Sequence, residues 1–508
     1  MRRSSIPRYA GRRCTLHLLV LFLVASGTAH AAAQTEIVIN IPAFKLYLYQ
    51  NGVPVKTYPI GVGQVVKPSQ LGETKIINRV FHPTYYPPDW YAKGLQPIPP
   101  GPDNPVGTRW LGLGFQGYGI HGTNDPSSIG TAASSGCIRM YNHDVEELAD
   151  LVRVGTVVRF VYDTIQAWRD PVSGNELILV HKDLYRQGTN TLDAALKELE
   201  EIGGARGVDR WTLGAILDEA AAEARPVPRS VPLTLNGERL SINAVHYGGQ
   251  LLLPLEPLAE ILNMTVTRSS REVAGAFAVG GMIVPGSFAI GSRAFAPVEA
   301  AAEGFGLVVQ RAGSEGVALR SVELVDRGRR PMAVRTHVLR DWLLLPVQEL
   351  AAQLGVDVRW EKEREAVVID GKPVFGAFII ENRAYLPHDR IAELLGVRIT
   401  WSPELALAML ETAEVRMTES GRTTMSGQGF VYGADVYVPL RMITDQLRYT
   451  LGWNQATQTA FVQGMPIRGV VRDGRIYASV RALRDVVPSL DYRWNEEEFD
   501  LTLVIGGR

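Results

Sequence analysis

The sequence predicts a multidomain chain, mainly β over residues 34–162 and built from α+β repeats of strand-helix-strand type over residues 231–508. Three observations lead there. A length of 508 residues with 46% hydrophobic and 21% charged residues, without low-complexity bulk, exceeds what one core organises. Between Glu36 and Phe160, short apolar segments alternate with turn residues. Beyond Pro232 one short pattern recurs six times.

The first 33 residues differ from the rest. Arg2, Arg3, Arg8, Arg12 and Arg13 precede an apolar run from Leu16 to Val24 and small residues from Ala25 to Ala33. This is a signal-peptide pattern, with cleavage expected at Ala29-His30-Ala31 or Ala31-Ala32-Ala33. The run falls short of the ~20 residues that span a bilayer, so no stable transmembrane anchor is expected after cleavage. The Arg-Arg pairs lack the Phe-Leu sequence that would mark twin-arginine export. The expected location is the cell envelope or the extracellular side of the cell wall. Cleavage removes five arginines and no acids, so a net charge of −1 becomes −6, which argues against a nucleic-acid partner. It also removes Cys14 and leaves Cys137 as the only cysteine, unable to form an internal disulfide. A buried inert cysteine and an intermolecular bridge compete with a reactive thiol here.

Ile37-Val-Ile-Asn-Ile and Lys45-Leu-Tyr-Leu-Tyr read as strands, and Gln50-Asn-Gly52 as a hairpin turn before Val53. Eight prolines between Pro83 and Pro105, with Tyr85, Tyr86, Trp90 and Tyr91, exclude helix and central strand and predict an ordered loop or lid. Its aromatics either wall a groove or pack the loop itself. Asp144 to Val152 reads as a helix with Asn142 or Asp144 as its cap, and Thr156 to Tyr162 as a strand. Residues 163–230 form a connector with a β-like stretch at Glu176 and helical patterns over Leu192–Ile202 and Trp211–Glu223. In the repeats, Leu253-Pro254, Ala296-Pro297, Leu345-Pro346, Leu386-Pro387, Val438-Pro439 and Ala478-Ser479 open amphipathic helices. Proline suits the first helical turn there. Fourteen residues after each proline stand Arg268, Arg311, Trp360, Trp401 and Trp453, and Trp494 follows Ser479 by fifteen. Periodic aromatics point to repeated packing rather than a carbohydrate platform.

The chemistry concentrates in Gly119-Ile-His121-Gly122 and Ser134-Ser135-Gly136-Cys137-Ile-Arg139. A cysteine after Ser-Ser-Gly sits at a tight turn whose N–H groups, at Gly136 and Cys137, can lower the thiol pKa and hold an oxyanion. Arg139 favours a thiolate or binds a substrate carboxylate. Of the nearby histidines, His121 lies between small neighbours, His143 at a helix entrance and His82 at the loop start. Spacing alone leaves a Cys137–His121 pair level with a structural cysteine; glycines at 119, 122, 130 and 136 favour the pair, because they suit a reacting carbonyl better than a regular core. One cysteine without an HExxH pattern leaves too few ligands for zinc. No metal and no cofactor is expected.

At these residues the chain resembles the L,D-transpeptidase catalytic domain family, the YkuD fold. The resemblance runs in order from Lys45-Leu-Tyr-Leu-Tyr and Tyr58-Pro-Ile-Gly-Val-Gly63 through Ile98-Pro-Pro-Gly-Pro to Tyr118-Gly-Ile-His-Gly-Thr123 and Ser134-Ser-Gly-Cys-Ile-Arg-Met140. It implies a mainly-β sandwich, catalytic Cys137 and His121, a substrate-facing Arg139 with Ser134, Ser135 and Gly122 beside it, and peptidoglycan stem tetrapeptides as the partner. Release of D-Ala and cross-linking are the implied reaction; hydrolysis alone, as an L,D-carboxypeptidase, and an inactive wall-binding scaffold are the alternatives. Ser135 stands where many members carry a second histidine, which leaves His121 as the sole base within the motif. The repeats resemble copper amine oxidase N-terminal-like stalk modules through Leu343 to Trp360, without a histidine cluster for copper. A contact with wall polymer or protein is expected of them.

Overall fold

The computed structural model describes residues 34–506, apart from 270–274, 314, 365 and 370, as two compact units: residues 34–206 with 220–226, and residues 207–219 with 227–506. The expected signal segment, with Cys14, lies outside the described residues.

In the first unit, β1 (Thr35–Asn40), β2 (Lys45–Gln50) and β3 (Val53–Pro59) form an antiparallel meander. Asn51 and Gly52 both take positive φ, 52° and 78°, the turn geometry whose twist matches paired strands. Ile37, Ile39, Leu46 and Leu48 are fully buried, so a slip of one residue would turn this face to solvent. There follow β4 (Val62–Gly63), β5 (Gly72–Phe81), β6 (Arg109–Leu113), β7 (Gly119–His121), β8 (Ala132–Ser134), β9 (Ile138–Arg139), α1 (Asn142–Leu151) and β10 (Val157–Val161). The eight-stranded order is β3-β2-β1-β10-β5-β6-β7-β9, with β4 and β8 paired separately. Residues Gly72–Lys75 of β5 pair with β10, and Ile76–Phe81 pair with β6. Ile39 and Leu46 from one half share a core with Leu111, Ile120 and Ile138 from the other, so the sheet closes on itself as a sandwich whose layers share β5. Helix α1 adds Val145, Leu148 and Ala149 to that core.

One local expectation is corrected in this unit. Helix α1 begins at Asn142, and Tyr141 holds the cap position without a side-chain bond, because the Asn142 amide is engaged with the backbone of Thr108 and Thr123 and Asp144 lies inside the helix. In the connector, β12 (Glu176–Val180) and α2 (Leu192–Glu201) stand where the sequence placed a β-like stretch and a helix, and the structure adds β11 (Ile165–Arg169) and, after an excursion, β13 (Ala224–Pro226), in the order β11-β12-β13. The sequence hid β11 because Ile165-Gln-Ala-Trp-Arg hardly alternates. Helix α3 (Arg210–Glu219) belongs to the second unit and stops before Ala220, which takes a left-handed φ of 44°, rather than running to Glu223.

In the second unit each of the six copies places a helix directly after its proline or serine: α4 (Leu255–Leu262), α5 (Val298–Phe305), α6 (Val347–Gln353), α7 (His388–Leu395), α8 (Leu440–Leu447) and α9 (Val480–Val486). The proline is the last strand residue and occupies the cap position instead of the first turn. Proline fixes its own φ near −65° and keeps the preceding residue extended, which fits a strand end. The copies pair two by two in one antiparallel register, Leu253↔Ala296, Leu345↔Leu386 and Val438↔Ala478. Three cores result, one each under α4 with α5, α6 with α7, and α8 with α9. Trp401, Trp453 and Trp494 pack against these cores, while Trp360 remains 43% exposed.

Candidate active site

Strand register brings the predicted chemistry to one face. β7 pairs with β6 through Trp110↔His121 and with β9 through His121↔Arg139, and directly opposed residues point to the same side. Cys137 lies in the bend directly before β9, two residues from Arg139, while Ile120 and Ile138 fill the opposite side of the strands and are fully buried. The Trp110 indole stacks on the His121 ring at 5.5 Å and 18°. It also covers Gly119, where a Cβ would stand 2.6 Å from the indole. Glycine at 119 thus makes room for the ring that holds His121 flat.

His121 is 6% exposed, and its Nδ1 lies 2.6 Å from the Gly122 carbonyl oxygen. A carbonyl only accepts, so Nδ1 carries the proton and Nε2 keeps its lone pair. Burial lowers the His121 pKa to about 4; the Gly122 bond opposes this and Arg139 adds to it. Cys137 is half-buried, and its thiol donates to the Gly117 carbonyl at 3.6 Å. Burial pushes the thiol pKa up, against the Gly119 backbone and Arg139, which pull it down. The expected lowering by turn N–H groups and Arg139 is therefore outweighed by burial, which favours the neutral form of both the thiol and the imidazole.

The turn before the thiol is held from both sides. Gly136 takes a φ of +123°, and a Cβ there would meet the Tyr118 ring at 2.8 Å. Ser134 Oγ donates to the Cys137 carbonyl at 2.6 Å and accepts from Gly136 N–H at 3.1 Å. That bond corrects the expected oxyanion pair: the Gly136 N–H is committed, and the Cys137 N–H is the one without an acceptor among the described residues. Ser134 is 3% exposed, and its hydroxyl both donates and accepts within the turn, so it holds the shape of the loop that carries the thiol. Gly122 is buried and serves through its carbonyl on His121, whereas Ser135 is exposed. The Arg139 Nε is buried without a partner, and no carboxylate pairs with this guanidinium among the described residues. His143 stacks on Tyr141 at 5.5 Å with its side chain 79% exposed.

Three supports escaped the sequence. Asn142 Oδ1 accepts from Thr123 N–H at 3.1 Å and Thr108 N–H at 3.3 Å, and its Nδ2 donates to the Thr123 carbonyl at 3.1 Å. A Cβ on Gly107 or Gly122 would strike this amide. Ser69 Oγ donates to the Gly136 carbonyl at 2.8 Å, and Tyr185 holds Ser69 from behind. None belongs to a catalytic residue pattern; only the paired glycines around Asn142 offered a signal. The proline-rich segment is ordered by the 1% exposed Asn104, whose Nδ2 donates to the Pro83 and Pro99 carbonyls at 2.8 and 3.1 Å. Tyr86 and Tyr91 stay exposed on it.

Residues 34–160 match the family described as "L,D-transpeptidase catalytic domain", and residues 368–462 match "Copper amine oxidase N-terminal domain". Among the described residues no group of three or more His, Cys, Asp or Glu side chains is placed to hold a metal ion. The "Putative L,D-transpeptidase YkuD" of Bacillus subtilis (strain 168) is 44% identical over 123 residues, 24% of this chain and 63% of that protein. The chain thus spans less than two thirds of that relative's length. A solved "L,D-transpeptidase from Mycobacterium smegmatis" aligns at 19% identity over 25% of this chain and 59% of its own, with a TM-score of 0.21, too low to bear on the fold. The "Probable L,D-transpeptidase YbiS" of Escherichia coli (strain K12) is 33% identical over 223 residues, 41% of this chain and 69% of that protein. With that coverage, and with the family's catalytic-domain match spanning both Cys137 and His121, the chain belongs to the L,D-transpeptidase family.

Proposed function

We propose that the chain is an exported enzyme that cross-links peptidoglycan through a Cys137 acyl-enzyme. The observation that supports this best is the pairing of His121 with Arg139 across β7 and β9, with Cys137 in the bend directly before β9 and His121 held as the Nδ1–H tautomer. The thiol turns from the Gly117 carbonyl toward His121 Nε2, which takes the proton as sulfur attacks the carbonyl between the third and fourth stem residues. The Cys137 N–H holds the resulting oxyanion, a contribution of about 3 kcal/mol in comparable sites. The tetrahedral adduct collapses as the C–N bond breaks, His121 returns the proton to the leaving amine, and D-Ala departs. Because burial and Arg139 disfavour the imidazolium, the protonated ring is a strong acid toward that amine. An amine from a second stem then attacks the thioester with His121 as base, releasing the thiol and forming the cross-link. Arg139, without an internal carboxylate, binds a substrate carboxylate.

Defined muropeptides with the purified chain test this. Mass spectrometry is expected to show tetrapeptide consumed with loss of D-Ala and dimers formed, both abolished in Cys137→Ala. Loss of D-Ala with no dimer at any acceptor concentration would leave only hydrolysis, and a chain inert toward every stem peptide would end the enzymatic reading.

A further inference from the structure

The peptide between Gly136 and Cys137 is gripped from behind by residues that no catalytic pattern contains. Ser69, 3% exposed, donates its hydroxyl to the Gly136 carbonyl at 2.8 Å and accepts from Gly63 N–H at 2.9 Å. The Tyr185 hydroxyl donates to the Gly63 carbonyl at 2.8 Å and accepts from Ser69 N–H at 3.1 Å. One serine and one phenol thus satisfy both main-chain groups of Gly63, the N–H of Ser69 and the carbonyl of Gly136. Tyr185 is itself fixed. Its N–H donates to the Tyr162 hydroxyl at 2.6 Å, the two rings stack at 5.6 Å, and the Tyr162 hydroxyl donates to Asp183 at 2.7 Å. Tyr185 lies beyond residue 160, where the family's catalytic-domain match ends.

A trans peptide is planar, so its N–H points opposite to its C=O. Anchoring the Gly136 carbonyl to Ser69 therefore aims the Cys137 N–H away from Ser69, and the hydrogen bond polarises the amide so that this N–H donates more strongly. At a φ of +123°, Gly136 lacks the side chain that would otherwise restrict rotation of this peptide. We infer that Ser69, braced by Tyr185, is a positioning residue that aims and polarises the Cys137 N–H at the oxyanion. The inference rests on the reading above that this N–H holds the oxyanion.

Two reactions of the same thiol separate aiming from general support. Acylation by p-nitrophenyl acetate passes through an oxyanion, whereas alkylation by iodoacetamide at a saturated carbon does not. In the full chain, Ser69→Ala is expected to slow acylation about tenfold and Tyr185→Phe about threefold, less than outright loss of a donor, with alkylation within about twofold of wild type. Ser69→Thr, which keeps the hydroxyl, restores acylation. If Ser69→Ala fails to fold, Tyr185→Phe decides alone. Parallel slowing of both reactions, or no change in either, overturns the inference. An intact rate split in a chain inert toward stem peptides would instead overturn the proposed function, and active cross-linking without the split would overturn the positioning role alone.

Discussion

At the scale of single residues, the site is set by a conflict between burial and charge. The same desolvation that lowers His121 to about 4 raises the Cys137 thiol, so neither partner is ionised at rest. On the proposed mechanism, proton transfer then accompanies attack, and the base must remain neutral to act. The acid limb of kcat/KM is expected near pH 4 to 5 instead of the ordinary 6.5, with a plateau down to about pH 5. A midpoint near 6.5 would show that His121 is more hydrated in solution. Stability follows the same displacement. Between pH 6.5 and about 4 the unfolded chain binds a proton at this position that the folded chain refuses, so folded stability falls as pH drops through that window. His121→Gln is expected to flatten that dependence in urea melts of the first unit.

At the scale of elements, one register repeats at the heart of each double repeat. The residue before each proline lies at the crossing, and Leu345 there is fully buried. Leu345→Ala is expected to cost about 3 kcal/mol, whereas Trp360→Ala, at an exposed aromatic, costs under about 1 kcal/mol; differential urea unfolding distinguishes them. A Trp360 cost equal to that of Leu345 would contradict the packing seen here. The helices were legible because Pro346 to Gly355 carries both punctuation and amphipathic spacing, and the hairpin at Asn51-Gly52 because few sequences take two positive φ values. The pairing of copies was not legible, since identical edges do not state which edge they meet. At the candidate site, residue type and order singled out Cys137, His121 and Arg139 as candidates, while spacing alone left the Cys137–His121 pair level with a structural cysteine. Ser69, Asn142 and Tyr185 could not be singled out, because a lone serine, amide or phenol acquires its role only from groups dozens of residues away.

At the scale of the whole molecule, the second unit counts in twos. Ending the chain at Thr412 removes the pair built on α8 and α9 and leaves the other two cores complete. Ending it at Gly464 removes the strand that pairs with Val438 and uncovers Leu440 and Ile443. The first truncation is expected to remain monodisperse in size-exclusion chromatography, and the second to aggregate and be cleaved near α8 by protease. Equal behaviour of the two would show that the copies fold singly. The burial of the thiol also reaches beyond one turnover. Oxidants and stray disulfides capture the thiolate, not the thiol, so a sulfur kept protonated ages slowly in an oxidising medium. On the proposed mechanism, the desolvation that raises the Cys137 thiol thus also sets its working lifetime: the nucleophile is preserved by staying dormant until an acyl donor arrives.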